Sequence, residues 1–190
     1  MGALTTADAA GLSAALLAWW ELHGRGGIPW KLLPGGVAPA PGQDLDPYGI
    51  WIAEVMLQQT QLAVVLPYWV RWMAAFPTVE ALADASLEKV RLQWQGLGYY
   101  SRARRLHEAA QRLVGGPWPR SLEGWLTLPG IGRTTAGGIL SSAFNAPVTI
   151  LDGNVKRVLA RLQAHPSPPA RDQALFWSWS AALLDPLRAR

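Results

Sequence analysis

The chain has 190 residues, of which half are hydrophobic and only 16% are charged, so it can bury a substantial core and is not a disordered chain. It contains no cysteine, which excludes disulfides and thiolate-bound metals within these residues, and its three scattered histidines do not form a metal site. Its 17 Lys and Arg against 13 Asp and Glu give a net charge of +4, which favours nucleic acid as a partner but is also usual for a mildly basic protein.

Hydropathy gives no sign of a membrane protein. No stretch reaches the roughly 18 consecutive apolar residues that a transmembrane helix needs. No basic segment followed by an apolar run begins the chain, so a signal peptide is not predicted. We therefore expect a cytoplasmic protein without a membrane partner, and we expect it to be a monomer.

Taken in chain order, apolar periodicity and capping residues predict helices joined by short connections. A first helix is expected over 5–22, and an exposed Pro/Gly-rich loop over 33–46. Asp46 is a suitable N-cap and Pro47 suits the first turn of the next helix, which is apolar almost all round and therefore typical of a buried helix. Further helices are predicted over 61–76, 78–85, 86–94, 99–114, 121–126, 133–144, 155–164 and 170–184. Because no strand pattern of any length accompanies them, the predicted fold class is all-α.

The predicted helix over 99–114 is unusually basic at its start. Arg102, Arg104 and Arg105 lie in its early turns. We expect them to form a basic face.

The buried helix contains one acid, Glu54. Its neighbours at helical spacing are Ile50, Trp51, Leu57 and Gln58, and no Lys or Arg lies three or four residues away to pair with it. A carboxyl group in apolar surroundings is disfavoured as the anion, so its pKa should rise, which suits a proton donor near neutral pH. A structural glutamate bonded to a distant arginine is the alternative, and the helix alone does not decide between the two.

A glycine-rich turn, Leu128-Pro129-Gly130-Ile131-Gly132, joins two predicted helices. Its two glycines permit positive φ and let another backbone come close, and the following helix begins with unpaired N–H groups at the positive end of its dipole. We therefore expect the turn to bind a DNA phosphate through Gly130, Gly132, Arg133 and Thr134. An ordinary helix–helix turn without a ligand is the simpler alternative.

Carbonyl groups in the same turn are candidate ligands for a monovalent cation, K+ or Na+, that would bridge to the phosphate. The carbonyls expected to contribute belong to Leu126, Leu128 and Ile131.

Asp152 directly precedes the predicted helix over 155–164 and is a suitable N-cap for it. Backbone N–H groups and the helix dipole favour the ionised carboxylate there, whereas apolar surroundings push Glu54 towards the neutral acid. Two carboxyl groups with opposite tendencies are what an acid and an anionic stabiliser require. Capping and catalysis are compatible interpretations of Asp152.

Four stretches make the chain similar to a known family. The segment 128–135 resembles the helix–hairpin–helix of the DNA glycosylase superfamily that includes endonuclease III. The segments 51–60 (Trp-Ile-Ala-Glu-Val-Met-Leu-Gln-Gln-Thr), 96–104 (Gly-Leu-Gly-Tyr-Tyr-Ser-Arg-Ala-Arg) and 150–158 (Ile-Leu-Asp-Gly-Asn-Val-Lys-Arg-Val) resemble its adenine glycosylase, MutY-like branch. The resemblance covers about residues 10–187, in the family's order and spacing.

The resemblance implies a fold with two subdomains. A six-helix barrel would span 30–150, with the helix–hairpin–helix at about 121–144. The second subdomain would combine 1–29 with 151–190.

The resemblance also implies a reaction, the hydrolysis of the N-glycosidic bond of adenine paired with 8-oxoguanine or guanine in double-stranded DNA. The acid at the position of Glu54 protonates the adenine, and the acid at Asp152 stabilises the cationic sugar. Asn154 would orient groups around Asp152. Such a repair enzyme would be associated with the nucleoid through DNA.

Four further residues match DNA-contacting positions of the family. Gln59 and Tyr99 match residues that insert near the lesion pair when the target base leaves the stack; helix capping by Gln59 and a core position for Tyr99 are the alternatives. Trp30 and Lys31 match a segment that lines the DNA or the base pocket. The family usually has Arg in place of Lys31, and Lys lacks the bidentate fork of Arg.

One position separates this branch from its bifunctional relatives. The endonuclease III branch has a nucleophilic Lys directly after Gly-x-Gly-Arg, where this chain has Thr134. Without that amine a Schiff base is not expected, which predicts a monofunctional glycosylase. The rivals are a bifunctional glycosylase/lyase acting on oxidised pyrimidines and a DNA-binding module without activity.

The family normally continues with a four-cysteine loop that holds a [4Fe–4S] cluster and with a domain that reads 8-oxoguanine. This chain has no cysteine ligand and ends at Arg190, about where that loop would begin. We therefore expect a fragment whose second subdomain is incomplete.

Overall fold

The computed structural model describes residues 6–25, 27–166 and 171–190, and within these ranges it contains ten α-helices, one short 3-10 helix and no β-strand. In chain order the α-helices are α1 Thr6–His23, α2 Pro47–Leu57, α3 Leu62–Ala75, α4 Val79–Ala83, α5 Leu87–Trp94, α6 Ser101–Leu113, α7 Leu122–Leu126, α8 Arg133–Phe144, α9 Gly153–Leu162 and α10 Gln173–Ala182. The 3-10 helix, Pro29–Lys31, precedes α2. The all-α prediction is confirmed, and none of the helices in these ranges is long and apolar enough to span a membrane.

The predicted helix starts agree with the observed N-caps. The side chains of Asp46, Thr78, Ser86, Ser121 and Asp152 each accept a hydrogen bond from a backbone N–H in the first turn of the helix that follows. The last helix begins at Gln173 rather than at the predicted residue 170, which lies outside the described residues, as does residue 5 of the first predicted helix.

Helix α2 lies at the centre of the main hydrophobic core. Its residues Ile50, Trp51, Ile52, Ala53 and Met56 are fully buried, and the helix packs against α3, α6 and α8. An apolar helix of this kind is stable only when other elements surround it. The position of α2 therefore fixes Glu54 within the fold.

A second, smaller cluster consists of Leu151, which precedes α9, together with Leu159 of α9 and Phe176 and Trp179 of α10. Helix α10 also contacts α1. This separation favours the predicted division at about residue 150, and the subdomain limits stay a prediction.

The loop over 33–46 is mostly exposed, as expected from its Pro and Gly content. It is tied to the barrel at one end, where Leu45 is buried and its N–H donates to the carbonyl of Ala143 at 2.9 Å. An ion pair between Asp44 and Arg120 lies beside this contact.

Candidate active site and DNA interface

Glu54 lies on α2 and is half-buried, so it is not sealed from solvent. Burial raises its pKa from 4.5 to about 7, the nearby Lys31 ammonium opposes this, and the Asp152 carboxylate raises the pKa further. Lys31 and Asp152 are thus both close enough to affect the charge of Glu54. A carboxyl group with a pKa near 7 is half protonated at neutral pH and can donate a proton there.

Two adjacent glycines in α8, which sequence reasoning missed, let the helix pack closely on both sides. A Cβ at Gly138 would lie 2.7 Å from Oε2 of Glu54, so only glycine leaves the carboxyl group its present place. A Cβ at Gly137 would lie 3.0 Å from the carbonyl oxygen of Thr149. The signal in the sequence was a Gly-Gly pair inside a helix, where glycine is disfavoured without a packing reason.

Asp152 follows the irregular segment 148–151 and caps α9. Its Oδ1 accepts the N–H of Val155 at 2.7 Å, and the residue is exposed. The segment is held by two hydroxyl donors, Thr134 Oγ1 to the carbonyl of Leu151 at 3.1 Å and Ser180 Oγ to the carbonyl of Ile150 at 2.6 Å. Asp152 is therefore anchored by its own cap and by the peptide groups before it.

Asn154 is exposed in the first turn of α9. No hydrogen bond joins its side chain to Asp152 among the described residues. Its expected role in orienting groups around Asp152 stays a prediction.

The glycine-rich turn joins α7 to α8. Gly130 has φ +81°, which favours glycine, and a Cβ there would lie 3.0 Å from Cβ and Cδ of Arg105. The absence of a side chain at Gly130 therefore serves packing against α6. Gly132 differs, because a Cβ at that position would meet nothing within 4 Å.

Helix α8 has Gly132 as its N-cap residue, so no side chain caps it. Its first N–H groups, including those of Arg133 and Thr134, have no partner within the helix and remain available for an anion. The guanidinium of Arg133 stacks on the Trp177 ring at 4.0 Å, which ties the turn to α10. The turn thus offers an anion its backbone N–H groups, whereas the charge of Arg133 is engaged by Trp177.

The start of α8 also contacts the end of α2. Gln58 Nε2 donates to Thr135 Oγ1 at 3.1 Å. Thr135 thus links α8 to the helix that carries Glu54, and the neighbouring Thr134 links α8 through Leu151 to the segment that carries Asp152.

Gln59 and Tyr99 are both exposed, and both have left-handed backbone, with φ 61° and 47°. Tyr99 retains 64% of its surface, so the alternative that it is a core residue is wrong. For Gln59 the C-cap of α2 is the preceding residue, Gln58. Gln59 follows the C-terminal end of α2 and Tyr99 precedes the N-terminal end of α6, and their entry into DNA stays a prediction.

Trp30 and Lys31 lie in the short 3-10 helix and have different environments. Trp30 is 6% exposed and packs on Trp69 at 5.4 Å, so its ring is covered and it supports the next residue rather than presenting a face to DNA. Burial lowers the pKa of the Lys31 ammonium below its usual value, and the Glu54 carboxylate opposes that shift. Lys31 is thus the cationic neighbour of Glu54.

The prediction that Arg102 belongs to a basic face is wrong. Arg104 and Arg105 are exposed, but Arg102 is 7% exposed, and its guanidinium donates to backbone carbonyls. Position 102 faces the core because it lies on the same side of α6 as the buried Leu106.

The carbonyls expected to hold a monovalent cation lie in the turn between α7 and α8. The Leu128 carbonyl accepts the N–H of Ile131 at 3.3 Å, and a carbonyl oxygen has a second lone pair for another ligand. Leu128 and Ile131 are themselves buried, whereas Leu126 is exposed. Cation binding here stays a prediction.

The residues present do not fit an iron–sulfur cluster. The sequence has no cysteine, and in the described ranges no three His, Cys, Asp or Glu side chains group as metal ligands.

Comparisons with known proteins agree with this arrangement. Residues 52–180 match the HhH-GPD superfamily of base excision DNA repair proteins. The chain is 44% identical to the adenine DNA glycosylase of Mus musculus over 188 residues, which cover 96% of this chain and 36% of that protein. It is 42% identical to the adenine DNA glycosylase of Buchnera aphidicola subsp. Baizongia pistaciae over 77% of this chain and 39% of that protein. It therefore spans less than two fifths of the length of these curated relatives.

A solved structure of a thermostable thymine-DNA glycosylase has the same fold. It superposes with a TM-score of 0.82 over 98% of this chain and 83% of that one, at 22% sequence identity.

Proposed function

The chain belongs to the HhH-GPD superfamily of base excision DNA repair proteins, and on this basis we propose that it forms the catalytic part of an adenine DNA glycosylase. The substrate is double-stranded DNA in which adenine is paired with 8-oxoguanine or guanine, and the product is an abasic site. The observation that carries this proposal is the pairing of Glu54, whose pKa is raised to about 7, with the nearby Asp152. Their positions beside the glycine-rich turn support DNA as the ligand.

In the proposed reaction Glu54 starts as the neutral acid and donates its proton to a ring nitrogen of adenine. The bond between C1′ and N9 then breaks, and its electron pair leaves with the base. The Asp152 carboxylate stabilises the oxocarbenium ion that forms on the sugar. Water adds to C1′ and gives a proton back to Glu54, so atoms and charge balance over the cycle.

The enzyme must take the adenine out of the stack before this chemistry can begin. Gln59 and Tyr99 are exposed on turns and would enter the duplex at the vacated position. The backbone N–H groups at Gly132, Arg133 and Thr134 would hold a phosphate, with K+ or Na+ at the neighbouring carbonyls as a bridge. Lys31 would place a positive charge beside the base pocket.

A bifunctional glycosylase/lyase is disfavoured by Thr134. Its hydroxyl donates to the carbonyl of Leu151 and offers no amine for a Schiff base. Because the chain lacks cluster ligands, no step of the reaction is assigned to an iron–sulfur cluster.

The proposal is tested by incubating the chain with duplexes that differ only in one pair, A·8-oxoguanine, A·G, A·T or thymine glycol·A, and then cleaving with alkali. Alkali-dependent scission at the adenine of the first two duplexes is expected. Scission without alkali, or borohydride trapping of protein on DNA, would identify the lyase instead. Binding without scission of any duplex would identify a DNA-binding module.

A further inference from the structure

Gln59 and Tyr99 share a strained backbone conformation. Each is a non-glycine residue with positive φ, 61° for Gln59 and 47° for Tyr99. This conformation is uncommon and strained for residues with a side chain, so it persists only where the surroundings hold it. Something must therefore hold both turns in place.

One guanidinium contacts both turns. Nη1 of Arg102 donates to the carbonyls of Val55, Met56 and Gln58 at 2.9, 3.0 and 2.6 Å. Nη2 donates to the carbonyls of Leu97 and Gly98 at 3.0 and 3.3 Å. The Gln58 carbonyl belongs to the peptide group that leads into Gln59, and the Gly98 carbonyl belongs to the one that leads into Tyr99.

Arg102 is buried, so its contacts with the two turns lie inside the protein. The residue is 7% exposed and has no carboxylate partner among the described residues. Carbonyls at the negative end of α2 and the ring of Trp94, 5.1 Å from the guanidinium carbon, compensate its charge. Only a planar fork with several fixed donors can serve both turns at once, and Lys has no such fork.

We propose that Arg102 is a positioning residue that holds Gln59 and Tyr99 as one rigid pair for entry into the DNA duplex. It acts from inside the protein, through the peptide groups that precede the two residues, and does not touch DNA. The entry of Gln59 and Tyr99 into DNA rests on the proposed function. That Arg102 holds both turns together rests on the hydrogen bonds alone.

The structural part is tested on the free protein by hydrogen exchange in Arg102→Lys. Amides at 57–60 and 96–100 should exchange faster together, by about tenfold or more, because their shared anchor is lost. Arg104→Lys is the matched control, since Arg104 lies on the exposed side of α6 and pairs with Glu108. Unchanged exchange in both segments, or faster exchange throughout the protein, overturns the inference.

The functional part is tested by base extrusion, which does not require chemistry. Duplex DNA with 2-aminopurine in place of the target adenine becomes more fluorescent when that base leaves the stack. In otherwise wild-type protein, Gln59→Ala and Tyr99→Ala should each slow the fluorescence rise by about tenfold. In protein that already carries Arg102→Lys, each should slow it further by less than about twofold, because the effects of substitutions in residues that act as a unit are not additive. Additive losses in all combinations would contradict the positioning role.

A second variant keeps the test decisive if Arg102→Lys does not fold. Gly98 has φ +71° and a Cβ there would meet nothing within 4 Å, so Gly98→Ala strains only this turn. In Gly98→Ala the effect of Tyr99→Ala should shrink while that of Gln59→Ala persists, and equal effects would overturn the inference. Extrusion of the base without alkali-sensitive scission would refute the proposed glycosylase activity and would leave the positioning role of Arg102 supported.

Discussion

Thr134 Oγ1 donates a hydrogen bond of 3.1 Å to the carbonyl of Leu151, the residue immediately before Asp152. The Thr134 hydroxyl therefore supports the segment that leads into Asp152. The turn expected to hold DNA is thus joined directly to the proposed catalytic centre.

Thr134→Val should slow base excision by about three- to tenfold, because a lost hydrogen bond of roughly 0.5–1.5 kcal/mol would leave Asp152 less well placed. Single-turnover rates on the A·8-oxoguanine duplex measure this effect. Thr134→Ser keeps the hydroxyl and is the control, which should stay within about twofold of wild type. A Thr134→Val rate equal to that of wild type would show that this hydrogen bond does not position Asp152 for excision.

Gly138→Ala should separate stability from activity. The added Cβ lies 2.7 Å from the Glu54 carboxyl group, the mobile end of a side chain, which can turn away at low cost to the fold. Alanine also favours the helix by up to about 1 kcal/mol. We expect thermal stability at or above wild type and excision slowed by about tenfold or more, measured by melting and single-turnover kinetics.

Gly137→Ala provides the contrast. Its Cβ would meet the backbone oxygen of Thr149 at 3.0 Å, and the segment that leads to Asp152 would have to move. This variant should lose both stability and activity. If both glycine variants behaved alike, the contact of Gly138 with Glu54 would not be the cause.

The rate of excision should depend on pH through Glu54. The protonated form is the active one and its pKa is about 7, so the single-turnover rate should be level below that pH and fall about tenfold per unit well above it. Lys31→Met removes the charge that opposes this shift, so it should move the midpoint to higher pH. A midpoint near 4.5 would contradict the raised pKa.

The same shift predicts a stability effect of Glu54→Gln. The pKa of Glu54 in the folded protein lies above its ordinary value of 4.5, so the folded protein binds the carboxyl proton more tightly than the unfolded chain does. The stability that this proton contributes is fully present below pH 4.5 and is lost as pH rises through about 7. Glutamine does not titrate, so Glu54→Gln should gain stability relative to wild type between pH 4 and pH 8, by roughly 3 kcal/mol. Denaturant unfolding at the two pH values measures the change.

The DNA-binding role of the turn is tested at Gly132 rather than at Gly130. Gly130→Val would strain a residue with φ +81° and press on Arg105, so a loss of binding could reflect misfolding. Gly132 has extended backbone and open space where a side chain would project. Gly132→Val should keep the fold, as checked by melting, and weaken DNA binding to a similar extent for every duplex, because phosphate contacts carry no sequence information.

The sequence alone predicts the helices and their caps, because capping residues act locally. Glu54 also stands out early, since an unpaired acid in an apolar helix is visible without a structure. Arg102 shows where such reasoning stops. Its partners are carbonyls of Val55, Met56, Gln58, Leu97 and Gly98. No side-chain pattern encodes such partners, so the sequence predicts a surface position for this residue instead. The roles of Gly137 and Gly138 depend on which elements pack against α8, and this is a tertiary property.

The most direct test of the account is the single-turnover excision of adenine opposite 8-oxoguanine by wild type and Glu54→Gln at pH 7. Glutamine keeps the size of the side chain but has no carboxyl proton to donate. We predict that Glu54→Gln binds the duplex within about threefold of wild type and loses about a thousandfold or more in rate, a loss in the upper part of the 10²–10⁴ range usual for a positioned acid. Excision by Glu54→Gln within about tenfold of wild type would contradict the assignment of Glu54 as the proton donor.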